Sequence, residues 1–498
     1  MEICMTTMLT RTQNNALSAR PQARLMQALL FLKAIPLGIL LVLICFFGWL
    51  RSAVQVAFSK LMGVPHRSEV IVWKGFPSVL DITPADNMDF DFWRKPSYIL
   101  PTLSAMNRYL LDKLYLDQRV TLADDSDFHF WMTHGPLSRL VKTQGDMLSI
   151  DLTVIADVST DEGTQLPGML IQVARNDPMQ ISMQFAGDDH VYSARDGGLW
   201  VLAKLHAQAA ISFILPGRFH GNIHFGLPCT AAAVLQTLPA ESVLYQLLAP
   251  HLRFTLRINN EALRVQRAQD RSKPYAPFPM SGESFVQSIA VDVKEHVVDT
   301  AFRAPHWSMQ GELPFQRFGQ AYYEPIHAFV AQVLEQEDPA VVRAYQQAVA
   351  QSVPGFDQVP AADAIATLIW QVSILHSADH HAMSVQMGEA GKSFMAMRLP
   401  VPANSQIKAE TRADDVVRMA CSADARYRAK VFEHTFVIGH KHPLWSNTMD
   451  QISYRFQHTS LQQLAHDFRQ QLMDTEARLE SQGLNICPLR HTFQSICW

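Results

Sequence analysis

Two histidine pairs, His220 with His224 and His376 with His380, each repeat a four-residue step inside apolar stretches in distant parts of this chain. Residues i and i+4 of an α-helix project from one face, so each pair can aim two imidazoles at one point. Helices that face each other with inward histidines build metal sites in helical cores, and imidazole suits iron, copper and zinc. The pattern therefore predicts two remote helices packed against one another around a metal ion. With 20 histidines in the chain, some such spacings arise on solvated faces. The apolar neighbours of both pairs argue for the interior.

The residue types near these pairs exclude several chemistries. A zinc peptidase helix needs a glutamate directly after its first histidine as general base, and Gly221 stands there. The six cysteines, at 4, 45, 229, 421, 487 and 497, show no CxxC and no regular spacing, so neither a disulfide framework nor a structural zinc site is predicted. A net charge of -4 and a pI near 6.6, without a basic stripe carrying interleaved aromatics, give no case for nucleic acid.

Longer stretches carry a resemblance. Trp200, Ala203 and Lys204 form a Trp-x-x-Ala-Lys run, and Leu238-Pro239 is followed by Leu244 to His251 and then by Arg253, Thr255, Ile258 and Asn259. Upstream stands Met169-Leu170-Ile171-Gln172-Val173; downstream come Tyr322 to Ile326 and Pro354-Gly355-Phe356. Together these resemble the catalytic domain of the lipoxygenases, the non-haem iron dioxygenases of polyunsaturated fatty acids, over residues 165 to 498. The Pro-His-x-Arg-x-Thr-x-x-Ile-Asn run is its most specific part.

The resemblance implies a single iron ion and a ligand set, carried over position by position. Family members present two histidines five apart on the core helix; counted from Lys204, the second falls on His220 and the first on Leu215. Either a small deletion brings His220 and His224 into both roles, or His224 substitutes from the other side. The family's Ser-Ala-x-His matches Ser377, Ala378 and His380, with His381 as nearest rival, and its weak fourth ligand falls on Ser384. His376 has no counterpart in that frame and is expected either to compensate for Ser384 or to pack nearby. The last ligand in the family is the carboxylate of the C-terminal residue, here Trp498. A main-chain carboxylate is ionised at neutral pH, so an indole side chain does not remove it. Gln236 and Gln371 are candidates to orient ligands, as metal-bound histidines usually require. Phe225, Leu227 and Ile374 are candidates to line an acyl tunnel. His129 and His134 lack pair spacing and are read as surface or packing residues.

The N-terminal part reads differently. Ala34 to Leu50 is an uninterrupted apolar run bounded by Lys33 and Arg51; with Ala28 to Leu32 it approaches the length needed to cross a bilayer. It is read as a membrane anchor, single-pass or monotopic, through residues 28-50. A signal peptide fits less well because the run starts late and is long; a buried amphipathic helix is the alternative, helped by Pro36 and Gly38. Basic residues on both flanks leave orientation unassigned.

The expected division is 1-67 as anchor and linker, 68-160 as a mixed α/β lead-in, and 161-498 as the helical catalytic domain. In the lead-in, Trp73 to Pro77 reads as a turn and Ser149 to Ala156 as a half-buried strand. Helical periodicity marks Ile326-Gln336, Ala340-Ser352, Ala361-Met383 and Ser460-Ser481. The fold class is thus mainly α with a small β component, and no N-terminal β-sandwich pattern is evident.

By resemblance the expected chemistry is insertion of O2 into a fatty acyl chain bearing a cis,cis-1,4-diene, giving a lipid hydroperoxide. The altered ligand spacing keeps two alternatives open: another lipid oxidation or a hydroperoxide isomerisation on the same fold, or a membrane-anchored lipid-binding protein with a degenerate metal site.

Overall fold

The computed structural model describes residues 121-156, 158-253, 312-388, 391-394, 397-420 and 448-496, with the strand pair 70-73 and 76-79 and a few isolated positions. Strands β1 (Val70–Trp73) and β2 (Phe76–Val79) pair antiparallel, closing with Trp73 opposite Phe76, where a turn is predicted. Helix α1 (Asp125–His134) leads into an antiparallel sheet of β3 (Lys142–Gln144), β4 (Met147–Asp151), β5 (Met169–Ala174), β6 (Asp177–Phe185) and β7 (Val191–Tyr192), in sequence order. Strand β5 coincides with the Met169-Val173 run. The half-buried strand predicted to reach Ala156 stops at Asp151, because the Asp151 carboxylate accepts both the amide (2.9 Å) and the hydroxyl (2.6 Å) of Thr153 and turns the chain.

One face of the sheet is apolar. Leu148, Ile150, Ile171, Val173, Ile181 and Met183 are buried in one cluster with Phe128 and Trp131 of α1 and most of α2 (Gly198–Ile214). Helix α2 is apolar all round and buried all round, as such a helix must be. Its few polar side chains each hold a neighbouring segment. Lys204 pairs with Asp125 at 3.0 Å. Gln208 accepts from the Ala123 amide and donates to the carbonyls of Thr121 and Lys392. His206 donates through Nε2 to Pro400 at 3.2 Å. Gly197, which starts the helix at φ +55, tolerates no side chain: a Cβ would lie 2.1 Å from the Ala409 oxygen.

Among the described residues the further α-helices are α3 (Gly221–Gly226), α4 (Pro228–Thr237), α5 (Val243–Leu252), α6 (Pro314–Leu334), α7 (Pro339–Ala350), α8 (Ala361–Trp370), α9 (His376–His381), α10 (Ala413–Ala420) and α11 (Thr459–Ser481). Cap chemistry sets some of their starts: Ser242 accepts the Tyr245 amide before α5, and Asp338 the Ala340 amide before α7. Helices α6, α8 and α11 pack together, with the Trp370 indole donating to the Gly319 carbonyl at 3.0 Å and Phe329 stacked on Phe468. The helical stretches read from the sequence between 326 and 481 correspond to α6, α7, the α8-α9 run and α11.

Wide π-helical turns interrupt two of the long helices: Leu215–His220 joins α2 to α3, Gln371–Leu375 joins α8 to α9, and Ala382–Gly388 follows α9. Such turns concentrate at functional sites. Among the described residues one continuous helical stretch, Gly198–Thr237, is long and apolar enough to span a bilayer, and 94% of its most apolar window is buried inside the protein, so here it serves as the central core helix. The predicted anchor at 28-50 lies outside the described residues, apart from Leu43, Phe47 and Leu50, which are helical and exposed.

Candidate metal centre

All four paired histidines meet in one place. His220 closes the first wide turn and His224 follows one α-turn later in α3; His376 and His380 are the first and fifth residues of α9. The two segments lie against each other where two apolar clusters join: Ile223, Leu227, Ile374 and Ala378 belong to one, Leu215, Phe225 and Met383 to the other. His224 Nε2 is 3.1 Å from His220 Nε2 and 3.1 Å from His376 Nε2. Ring centroids of His220 and His380 are 4.4 Å apart, and those of His376 and His380 4.7 Å. One ligand atom from each of His220, His376 and His380 falls within 4.8 Å of the others.

The donor set fits a metal ion. Burial, reinforced by the neighbouring histidines, holds His220 and His376 well below the usual imidazole range, so both are neutral at physiological pH and offer lone pairs. A ring nitrogen carries either one hydrogen or one lone pair. The Nε2 of His224 therefore cannot make full hydrogen bonds to two other imidazole nitrogens at once. A cation between them satisfies every lone pair: metal–nitrogen bonds of about 2.1 Å place adjacent ligand atoms roughly 3.0 to 3.4 Å apart.

The other predicted site residues are distributed around this cluster. His381 turns aside: burial and the nearby His491 push its pKa down to about 4. Ser384 lies one turn on in segment 382–388, and its side chain is outside the described residues. Phe225, Leu227 and Ile374 are buried beside the histidines in the two clusters. Gln371 is buried at the start of the wide turn before α9, whereas Gln236 is exposed on α4 and does not reach the cluster. That corrects its expected orienting role, since a solvent-facing amide touches no ligand. His129 donates through Nε2 to the Arg175 carbonyl and His134 stacks on Phe130, in keeping with surface and packing roles.

Trp498 lies outside the described residues, which run to Ile496. The segment before it is pinned to the centre. Ser377 Oγ, on α9 between the two histidines, accepts the Phe493 amide at 2.9 Å. The Thr492 carbonyl accepts the Met449 amide at 2.7 Å. His251 holds the next residue: its Nδ1 is 2.8 Å from the Gln494 carbonyl and its Nε2 2.8 Å from the Tyr454 hydroxyl. A carbonyl only accepts, so Nδ1 carries the hydrogen and Nε2 accepts from Tyr454; burial, with a pKa pushed down to about 4, keeps the ring neutral. Sequence reasoning singled out His251 only as part of a motif, and Tyr454 carried no signal.

A second feature was not legible at all. Arg139, at the end of the 3-10 turn Pro136–Arg139, makes a bidentate pair with Asp379 (2.7 and 3.3 Å), between His376 and His380. Burial raises the Asp379 carboxyl to about 6 against the opposing pull of Arg139. The guanidinium also lies 4.8 Å from the centroid of Phe219, the residue before His220.

No family model matches the sequence, and no curated protein is similar to it by sequence search. Solved structures are similar in fold. A lipoxygenase solved anaerobically in complex with arachidonate matches with TM-score 0.67 at 13% identity, covering 90% of this chain and 81% of that one. A coral 8R-lipoxygenase matches with TM-score 0.65 at 12% identity over the same shares. A calcium-dependent 11R-lipoxygenase matches with TM-score 0.62 at 13% identity, covering 75% of this chain and 66% of that one, so the chain spans just under two thirds of it. The fold is lipoxygenase-like and mainly α with a small sheet.

Proposed function

We propose that this chain is a non-haem iron dioxygenase that inserts O2 into polyunsaturated fatty acyl chains and yields lipid hydroperoxides. The observation that carries the reading is the convergence of four buried imidazoles from two remote segments, with Nε2 atoms 3.1 Å apart, inside a lipoxygenase-like fold. His220, His224, His376 and His380 would hold the iron, and the carboxylate of Trp498 would complete the set from the tail that Ser377 and His251 tether. Ser384 then has no necessary part, because His376 takes the fourth position.

Bound there, iron would supply one-electron chemistry toward a C–H bond flanked by double bonds and toward O2. The chain's own residues provide the setting. Imidazole ligands leave open positions around a metal of this class, and burial keeps His220 and His376 from taking up a second proton at physiological pH. Phe225, Leu227 and Ile374 offer the acyl chain an apolar wall and keep water from the centre. A related lipoxygenase has been solved with arachidonate, which supports a fatty acid as substrate. The hydrophobic segment at 28-50 would bring the enzyme to the membrane where such chains are held, with 68-160 leading into the catalytic part at 161-498.

The test is metal analysis of the full chain purified in detergent, followed by oxygen uptake and conjugated-diene formation with linoleate and arachidonate. Iron close to one per chain with diene formation is expected. An iron-loaded protein that consumes no oxygen with any polyunsaturated substrate would refute the dioxygenase reading, and a protein that takes up no iron would refute the centre itself.

A further inference from the structure

The Arg139–Asp379 pair is costly where it stands. Both side chains are nearly or fully out of solvent, 9% and 0% exposed, and apolar residues of similar volume are often as stable as a buried ion pair. What the pair adds is geometry. Asp379 lies on α9 three residues after His376 and one before His380, about 60° to 100° around the helix from them. Arg139 grips this flank with two parallel hydrogen bonds, which fix both distance and angle. Its planar face packs on Phe219 at 4.8 Å and lies 5.6 Å from the Phe315 centroid at the start of α6. One guanidinium thus reaches the segment carrying His220, the helix carrying His376 and His380, and the start of a third helix.

We propose that Arg139 is a positioning residue for the metal centre: through Asp379 it sets the rotation of α9 about its own axis, and through Phe219 it references that rotation to the segment carrying His220 and His224. The proposal rests on the metal reading given above. The leverage is large. A 10° rotation moves an atom about 6 Å from a helix axis by roughly 1 Å, a large error against a metal–nitrogen bond of about 2.1 Å. A point charge such as lysine would keep the ion pair but not the angle or the stacked face.

Three full-length proteins test this: wild type, R139K, and the paired variant R139M/D379L, which removes both charges together. Each is loaded with Co(II), and three quantities are read: unfolding temperature without metal, the Co(II) visible spectrum, and the rate of metal release to a chelator. The paired variant should keep its metal-free unfolding temperature yet release Co(II) 10- to 100-fold faster, the range typical of groups that orient ligands, with an altered spectrum. R139K should fold as wild type and also release faster; it carries the test if the paired variant fails to fold. Wild-type spectrum and release rate in R139K, or in a folded paired variant, would overturn the positioning role alone. A wild-type chain that binds neither Co(II) nor Fe(II) would overturn the metal reading and this proposal with it.

Discussion

Replacing His206 by glutamine should flatten the acid sensitivity of this protein by an amount that follows from its burial. His206 is fully buried on α2, donates to the Pro400 carbonyl at 3.2 Å, and burial pushes its pKa down to about 4. In the unfolded chain the same ring titrates near 6.5. Between these values the unfolded state binds the extra proton, so stability present above pH 6.5 is lost as pH falls toward 4. The full gap of 2.5 units corresponds to about 3.4 kcal/mol, of which roughly 2 kcal/mol is lost between pH 7 and pH 5. Glutamine keeps a donor for Pro400 and does not titrate. Urea unfolding of both proteins at pH 7, 6 and 5 should therefore show the wild type losing about 2 kcal/mol more than H206Q across that range. His251 adds a loss of the same sign in both proteins. Asp379 opposes it in both, since a carboxyl raised to about 6 takes up its proton more readily when folded and gains stability as pH falls through that value. Those shared terms cancel in the difference. Parallel pH profiles for wild type and H206Q would refute the assignment of His206 as a neutral, buried ring.

Three other outcomes are expected. His376→Ala should reduce iron content well below that of wild type while Ser384→Ala leaves it unchanged, as read by element analysis; the reverse ranking would restore Ser384 as the fourth ligand. Tyr454→Phe should lower stability by about 1 kcal/mol in urea, because the buried Nε2 of His251 loses its donor; an unchanged midpoint would mean that ring is satisfied elsewhere. Residues appended after Trp498 should lower both iron content and oxygen uptake, and full activity in such an extended protein would remove the terminal carboxylate from the ligand set.

Local patterns were legible in the sequence to the degree that short-range physics sets them. The i, i+4 spacing of His220/His224 and His376/His380 among apolar residues identified two inward faces, and helical periodicity located α7, α8-α9 and α11 within a few residues but caught only the second half of α6, which starts at Pro314. Strand β5 coincides with a run that entered through the resemblance rather than through its local pattern. What spacing does not encode is which of two faces meets a partner. Gln236 and Gln371 look alike as glutamines on helices, yet one is exposed and the other buried. Matching Ser377, Ala378 and His380 to a family frame puts Ser384 in the fourth place and has no position for His376, because a frame counts residues; the nearness of His376 to His224 across 152 positions emerges only in the assembled fold. Arg139 and Asp379 lie 240 positions apart, so only the assembled fold brings them together. The segment predicted to meet the membrane and the terminal Trp498 fall outside the described residues.

The wide turn at Leu215–His220 bears on how such a centre tolerates change. In this turn a backbone amide reaches back five residues instead of four, so it stores one extra residue relative to a regular helix. A single residue added or removed there swings everything downstream by about 100° if the rest stays regular. Interconversion between the two kinds of turn can absorb that slip locally, leaving the buried run of α2 untouched and His220 and His224 still aimed inward. The histidine step of five that the resemblance implies and the step of four here would then be a change of gearing within the proposed centre.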